Sequence, residues 1–257
     1  MTEAAQARRD AVRRSFERQT SLFAGPNSVF ARHSESPLSW IEPLDERMVV
    51  LDVACGAAHA SEPVAPRVRH VIGIDLTVPL LQMGAQRLRD KGIDNVTLQE
   101  GDAEGLPFVD ESFDIVYCRS SLHHFAHPER AVAEMVRVCR IGGRVVLVDL
   151  IAPTPDVRDH FDHVHRLIDP SHMHAFVERE LAELLPGGID GLCYAGTDTF
   201  QLAIDLVFTE QSDGEAVFEA LRSELAGGEV TGFDPVENDG KILVQFATCS
   251  VQSERRA

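Results

Sequence analysis

Five apolar-rich runs pace the first 150 residues: Met48 to Val53, His70 to Asp75, Val96 to Glu100, Phe113 to Arg119 and Arg144 to Leu150. Most of their apolar residues do not alternate with polar ones, so the runs need burial on both faces. That is the pattern of strands in a parallel sheet with helices on either side. The segments between them supply those helices. Pro79 suits a first turn, Leu80, Leu81, Gly84 and Leu88 form one inward stripe, and Gly92 stops it. Pro128 to Arg140 repeats the design with Ala131, Val132, Met135, Val136 and Cys139, closed by Ile141-Gly142-Gly143. His59 to Val68 predicts a shorter helix, because Pro63 is tolerated only in a first turn and Pro66 ends it. Ahead of the first strand, residues 1 to 10 predict a frayed end. Val12, Phe16, Leu22 and Phe23 predict a helix from Ala11 to Phe23, stopped by Gly25-Pro26, and Val29 to Ile41 a short helix interrupted at Pro37.

Past Leu150 the pattern changes. Pro153 and Pro155 break the chain, Asp156 to Ile168 and Val177 to Leu185 read as helices, and Thr197 to Val207 alternates as a strand does. An amphipathic stretch, Gly214 to Leu225, precedes a last apolar strand, Lys241 to Val251. The expected architecture is one α/β domain over residues 1–257, a doubly wound and mostly parallel seven-stranded sheet. Residues 1–45 and the helical insert 156–186 would cap a substrate pocket.

Charge and cysteine usage narrow the partners. The net charge of −17, with no basic stripe, makes duplex nucleic acid and anionic membrane surfaces poor partners. No run approaches the roughly 18 apolar residues of a membrane span, and MTEAAQARRD has no apolar signal core. Cys55, Cys118, Cys139, Cys193 and Cys249 are scattered and form no CxxC, which predicts a reduced, cytoplasmic protein acting on a small molecule.

Candidate chemistry gathers at strand ends. VLDVACGAAHA, Val50 to Ala60, sets Asp52 in the first strand and a tight turn at Cys55-Gly56. HVIGIDL ends the second strand on Asp75, where a carboxylate commonly holds a ribose, and GDAEGLPF places Asp102 just past the third. A dinucleotide fingerprint is not met: neither outer glycine of G-x-G-x-x-G is present, and Asp52 stands where that motif calls for no acid.

In order and spacing, VLDVACGAAHA, GIDL, GDAEGLPF, FDIVYCRSSLHHF and the helix followed by GGRVVLVD resemble the class I S-adenosylmethionine-dependent methyltransferases, nearest their ubiquinone- and menaquinone-biosynthesis-like small-molecule subgroup. The resemblance spans residues 11 to 186. It implies the Rossmann-like fold with strand order 3-2-1-4-5-7-6, S-adenosylmethionine as cofactor, and methyl transfer to a small, apolar or aromatic metabolite. It also implies a pocket. Asp52 and the backbone of Ala54, Cys55 and Gly56 would hold the methionine amino and carboxylate end, the turn N–H groups forming an anion site. Asp75 would take the ribose hydroxyls with Leu76 against the adenine. Asp102 would accept from the adenine amine while the Ala103 N–H meets a ring nitrogen, and Arg119 would line the methionine side. The family's Gly-x-Gly-x-Gly turn reads Ala54-x-Gly56-x-Ala58 here, so Ala58 predicts either crowding of the ligand or a strained φ.

Methyl transfer from a sulfonium is an in-line displacement that needs positioning above all, and a base only for a protonated nucleophile. The candidates are His123, His124 and His127 after strand four, and His160, His163, His165, His172 and His174 after strand five, in loops over the carboxyl edge of the sheet. His124 reads as a wall or base of the substrate pocket, or else as a loop histidine satisfied by backbone groups. His163 is the other candidate base. With Asp159 or Asp162, His160 and His163 sketch a metal site, but helical histidine runs more often face solvent or substrate, and no metal is expected. Trp40, Phe16, Phe23 and Phe30 either line an apolar cavity or pack the core. Two rival activities fit the same residues: a cyclisation, a rearrangement or mere binding with the same cofactor, and nucleic-acid methylation, which the net charge opposes.

Overall fold

The computed structural model describes residues 3–18 and 38–256. Its strands are β1 (Val49–Val53), β2 (His70–Asp75), β3 (Val96–Glu100), β4 (Phe113–Arg119), β5 (Cys139–Ile151), β6 (Leu192–Ala203), β7 (Val236–Asn238) and β8 (Lys241–Glu254). They form one sheet in the order β3-β2-β1-β4-β5-β8-β6, with β7 paired to β8 as a short hairpin. The first five are parallel and β8 runs antiparallel to both its neighbours. Apart from the hairpin, this is the expected seven-strand order.

Register explains the two-sided burial. Leu51, Val116 and Val145 are lateral neighbours and pack on one face with Val132 and Met135, whereas Val50, Ile115, Tyr117 and Val146 pack on the other with Val64 and Val68. The helices are α1 (Glu3–Arg18), α2 (Ser61–Val64), α3 (Val78–Asp90), α4 (Pro128–Val138), α5 (Arg158–Ile168), α6 (Glu178–Glu183) and α7 (Gly214–Leu225). A separate core, built from Phe161, Val164 and Ile168 of α5, Val217 and Leu221 of α7, Phe233 and the start of β8, lies beneath the insert.

Several boundaries differ from expectation. Residues 3–10 belong to α1 instead of fraying, because Ala, Glu, Gln and Arg favour a helix without any apolar stripe. The helix expected at His59 to Val68 splits into α2 and a 3₁₀ turn, Ala65–Arg67, that carries Pro66. α4 stops at Val138 and β5 starts at Cys139, not Arg144; Gly142, at φ +73°, lies in an irregular stretch of the β4–β5 register instead of ending the helix. The sixth strand begins at Leu192 and ends at Ala203, where a 3₁₀ turn, Ile204–Val207, takes over. Phe23, Phe30 and most of the second expected helix lie outside the described residues; its last residues, Leu38–Trp40, form a 3₁₀ turn.

α3 bears directly on the turn after β1. A β-carbon on Gly84 would stand 2.8 Å from the Ala57 carbonyl oxygen and 2.9 Å from its carbon, and backbone cannot swing aside. Gly84→Ala is therefore expected to destabilise the fold by about 1–3 kcal/mol, the usual cost of overpacking, measured as a lower urea midpoint at unchanged slope.

Candidate functional site

A cavity of ≈540 Å³ opens over the carboxyl ends of β1, β2, β4 and β5, where ligands bind in sheets of this kind. Asp52, Ala54, Cys55, Gly56, Asp75, Leu76, Asp102, Ala103 and Arg119, the residues expected at the cofactor, all line it, and so does His124.

The turn after β1 is bent tightly. Ala54, Gly56 and Ala58 have φ of +57°, +52° and +59°, so the strained φ expected at Ala58 is realised there and at Ala54 too. Each alanine in this region costs about 1–2 kcal/mol. Hydrogen bonds hold the turn there: Cys55 N donates to Ile74 O (3.0 Å), Ala58 N to Cys55 O (2.8 Å), and Gly56 N to Asp75 Oδ2 (2.8 Å). The other Asp75 oxygen accepts from Thr77 N at 2.7 Å. The anion site expected of the Cys55 and Gly56 amides is therefore not formed, because both N–H groups are already used inside the protein.

Asp52 is buried and accepts the Ser61 hydroxyl at 2.5 Å. Burial raises its pKa from 3.8 to about 7, against the opposing pull of the Ser61 and Tyr117 hydroxyls. The Asp75 pKa also rises, again through burial, and the Thr77 and Gly56 amides moderate the shift. The Arg119 guanidinium lies 5.7 Å from the centre of the Trp40 ring, and burial lowers its pKa. An acid-lined end of this kind, with Asp52, Asp75 and Asp102 on one wall, suits a ligand that carries a sulfonium, a ribose and an adenine. The turn stays open to it: a β-carbon built on Gly56 would meet only Leu80 Cδ1, at 3.9 Å.

The opposite end is aromatic and rich in imidazoles. Phe16 of α1 lines it, edge-on to His124 at 4.8 Å. His123 and His124 sit in a 3₁₀ turn, Leu122–His124, at the exit of β4. His123 Nδ1 is 2.5 Å from Asp149 Oδ1 and its amide donates to Asp149 Oδ2 at 3.1 Å. Asp149 has no exposure and takes a third bond from Leu150 N. Burial opposes a charge on His123, but the Asp149 carboxylate prevails and its pKa is raised. His124 is different. Ser171 Oγ donates to Asp169 and so accepts from His124 Nδ1 (3.1 Å); burial, with His123 alongside, lowers the His124 pKa to about 3. His165 and His172 stack face to face at 4.1 Å, and burial lowers the pKa of both.

His163 does not enter the cavity. It is exposed, its ring stacks on His160, and the inward face of α5 presents Phe161, Val164, His165 and Ile168. Asp162 turns inward to His172 (2.7 Å) and Ala175 N, and no group of three residues suited to a metal occurs among the described residues. The pair that sequence reasoning missed is His123 with Asp149. Asp149 was legible as the acid of RVVLVDL, but 26 residues separate it from His123 and only the β4–β5 register joins them.

Comparison with known proteins bears on the same region. A family model described as a methyltransferase domain matches residues 51–147. The uncharacterized methyltransferase YcgJ of Bacillus subtilis (strain 168) is 44% identical over 125 residues, 48% of this chain and 49% of that protein, so the chain spans about half the length of this relative. The demethylmenaquinone methyltransferase of Geobacillus kaustophilus is 35% identical over 161 residues, 58% of this chain and 67% of that one. Among solved structures, the BH2331 protein of Bacillus halodurans C-125 superposes with a TM-score of 0.75 at 27% identity, covering 90% of this chain and all of that one.

The buried acid in β1 yields a pH signature. Asp52 keeps its proton in the folded state up to about pH 7, whereas the unfolded chain loses it near pH 3.8. Its contribution is therefore complete below that lower value and declines as pH rises toward 7. Asp52→Asn, which removes the titration, is expected to stabilise the protein by about 2–4 kcal/mol at pH 8 and by little at pH 4. Urea titrations at both pH values measure the difference.

Proposed function

The chain belongs to the class I S-adenosylmethionine-dependent methyltransferases, and on that premise we propose that it moves the methyl group of S-adenosylmethionine to a small metabolite with an apolar or aromatic body. The observation that carries this reading is the single cavity that runs from the acid-lined turn of β1 and β2 to an aromatic wall bearing a histidine–carboxylate pair.

When bound, S-adenosylmethionine supplies a methyl group on a cationic sulfur. The residues of this chain bind and orient it. Asp75, anchored by two amides, presents its carboxylate to the ribose hydroxyls, with Leu76 beside the adenine. Asp102 and Ala103 receive the adenine edge, Asp52 and Arg119 flank the methionine end, and Ala54, Cys55 and Gly56 form a close-fitting wall there. α1 and the insert 156–186 cap the far end: Val12 and Phe16 come from the one, His165, Ile168 and Met173 from the other. His123, oriented by Asp149, acts as the base, and His124, kept neutral, forms the wall next to it. No helix among the described residues is long and apolar enough to cross a membrane.

Two measurements test the reading. Trp40 is the sole tryptophan and lines the cavity, so S-adenosylhomocysteine is expected to change its fluorescence and to bind in calorimetry. Asp75→Ala should weaken that binding at least tenfold, about 1.4 kcal/mol; no binding by the wild type would remove the cofactor assignment. The second is a pH profile. Facing His123 are Asp149 from β5, His124 from its own turn, His165 and Asp162 from α5, and Asp169 and His172 from the following loop. A base must be neutral to act, and the His123 pKa lies above 6.5. Turnover is therefore expected to rise with pH to a plateau, with its midpoint above 6.5. In Asp149→Asn that midpoint should move down and the plateau should drop at least tenfold.

A further inference from the structure

Resting on the methyl-transfer reading, we infer that the acceptor atom is the oxygen of an uncharged, phenol-type hydroxyl, set between the aromatic wall and His123, which takes its proton.

Four features of the substrate end converge on this class. The first is the imidazole stack. His123 lies 4.0 Å from His124 and 5.6 Å from His172, and His172 lies 4.1 Å from His165. Rings this close share at most one positive charge. Of the three rings of this stack that line the cavity, His123, His124 and His165, only His123 has a carboxylate hydrogen-bonded to a ring nitrogen. With Nδ1–H directed at Asp149, the neutral ring carries its lone pair on Nε2, so the site has one defined place to receive one proton.

The second is charge. Asp169 and Asp198 line the same end, and the Arg13 guanidinium is already paired with Asp10 (3.4 Å) and Glu17 (3.9 Å). A carboxylate or phosphate would meet those two acids there, and among the described residues the cation beside them, Arg13, already has carboxylates within 4 Å although its Nε makes no hydrogen bond. An ammonium would bring its charge up to the cationic sulfonium. A neutral hydroxyl avoids both costs, and the oxyanion it becomes is attracted to the sulfonium.

The third is acidity. A phenol, with a pKa of about 10, lies within a few units of an imidazole base, whereas an alkyl hydroxyl, near water's value of about 15.7, does not. The fourth is shape. Phe16, edge-on to His124, and Phe246, beside His165 and stacked on Phe200, line the cavity with Leu150 and Ile168 and set flat apolar surface suited to a ring next to the imidazoles.

The step balances. The O–H proton passes to His123 Nε2 and its electron pair stays on oxygen. That oxygen bonds to the methyl carbon as the carbon–sulfur bond breaks, and the bond's electrons remain on sulfur. A methyl ether and a neutral thioether result, and His123 returns its proton to solvent before the next cycle.

The test uses the full chain with S-adenosylmethionine and four naphthalene probes: 2-naphthol, a nitro-substituted 2-naphthol that is ionised at the assay pH, 2-naphthoic acid and 2-naphthylmethylamine. S-adenosylhomocysteine formation and product mass are read for wild type and His123→Ala, and calorimetry follows S-adenosylhomocysteine binding to each. Expected are methyl ethers from both naphthols, with a higher KM for the ionised one, whose charge meets Asp169 and Asp198. In His123→Ala the loss should be about 100-fold or more with 2-naphthol and under about tenfold with the ionised one, with binding unchanged. A variant that is merely damaged would lose both acceptors equally, which overturns the proposal. So would methylation of the acid or the amine in preference to the naphthols, or no turnover of any probe by a protein that binds S-adenosylhomocysteine; in these cases the methyl-transfer reading stands. Absence of that binding brings down the reading beneath it as well.

Discussion

The carboxylate of Asp75 is the tie on which the cofactor end depends. One oxygen holds the Gly56 amide in the turn after β1 and the other holds the Thr77 amide at the start of α3, so two loops from adjacent strands move as one piece. That connection lets the chain keep three residues in the left-handed region within five positions, two of them alanines that would relax elsewhere. α3 secures the arrangement from outside, because Gly84 lets it lie flat against Ala57. A carboxylate committed in this way is fixed in orientation before any ligand arrives, which is the preorganisation that binding sites use to limit the entropy of association.

At the other end, burial does comparable work on imidazoles. Removed from water and crowded together, His124, His165 and His172 resist charge, and the cluster concentrates its basicity on the one ring that an unexposed aspartate supports. The loop after α5 completes this: Met173 N and His174 N both donate to the His123 carbonyl, so the insert fastens the ring it surrounds. The insert thus both supplies the neighbouring imidazoles, His165 and His172, and anchors the backbone of His123.

How far the sequence disclosed this varies with the range of the interactions involved. β2, β3, β4 and α7 were legible to the residue, the strands as short apolar-rich runs and α7 as an amphipathic stretch that starts just after Asp213 and ends just before Ala226-Gly227. The face of α5 was also readable, because Phe161, Val164, His165 and Ile168 recur at helical spacing and leave His163 on the opposite side. The choice of His163 overlooked that stripe. The pairing of His123 with Asp149 was not legible, because it depends on how β4 and β5 align: Arg119 pairs with Val148, which sets the exit of one strand beside the last residues of the other. Nor could residue types reveal that the Cys55 and Gly56 amides bond within the protein, since that competition is decided by distances alone.

The two ends of the cavity stand on different foundations. The sheet clusters around Leu51 and Val50 support the cofactor turn, while Phe161, Val217, Phe233 and Phe246 form a core of their own beneath the insert. The family match stops at residue 147, before that second core begins. One end of the cavity is thus carried by a core that the turn after β1 does not share, so substitutions around Phe200 and Phe246 can reshape that end without touching the packing beneath the other.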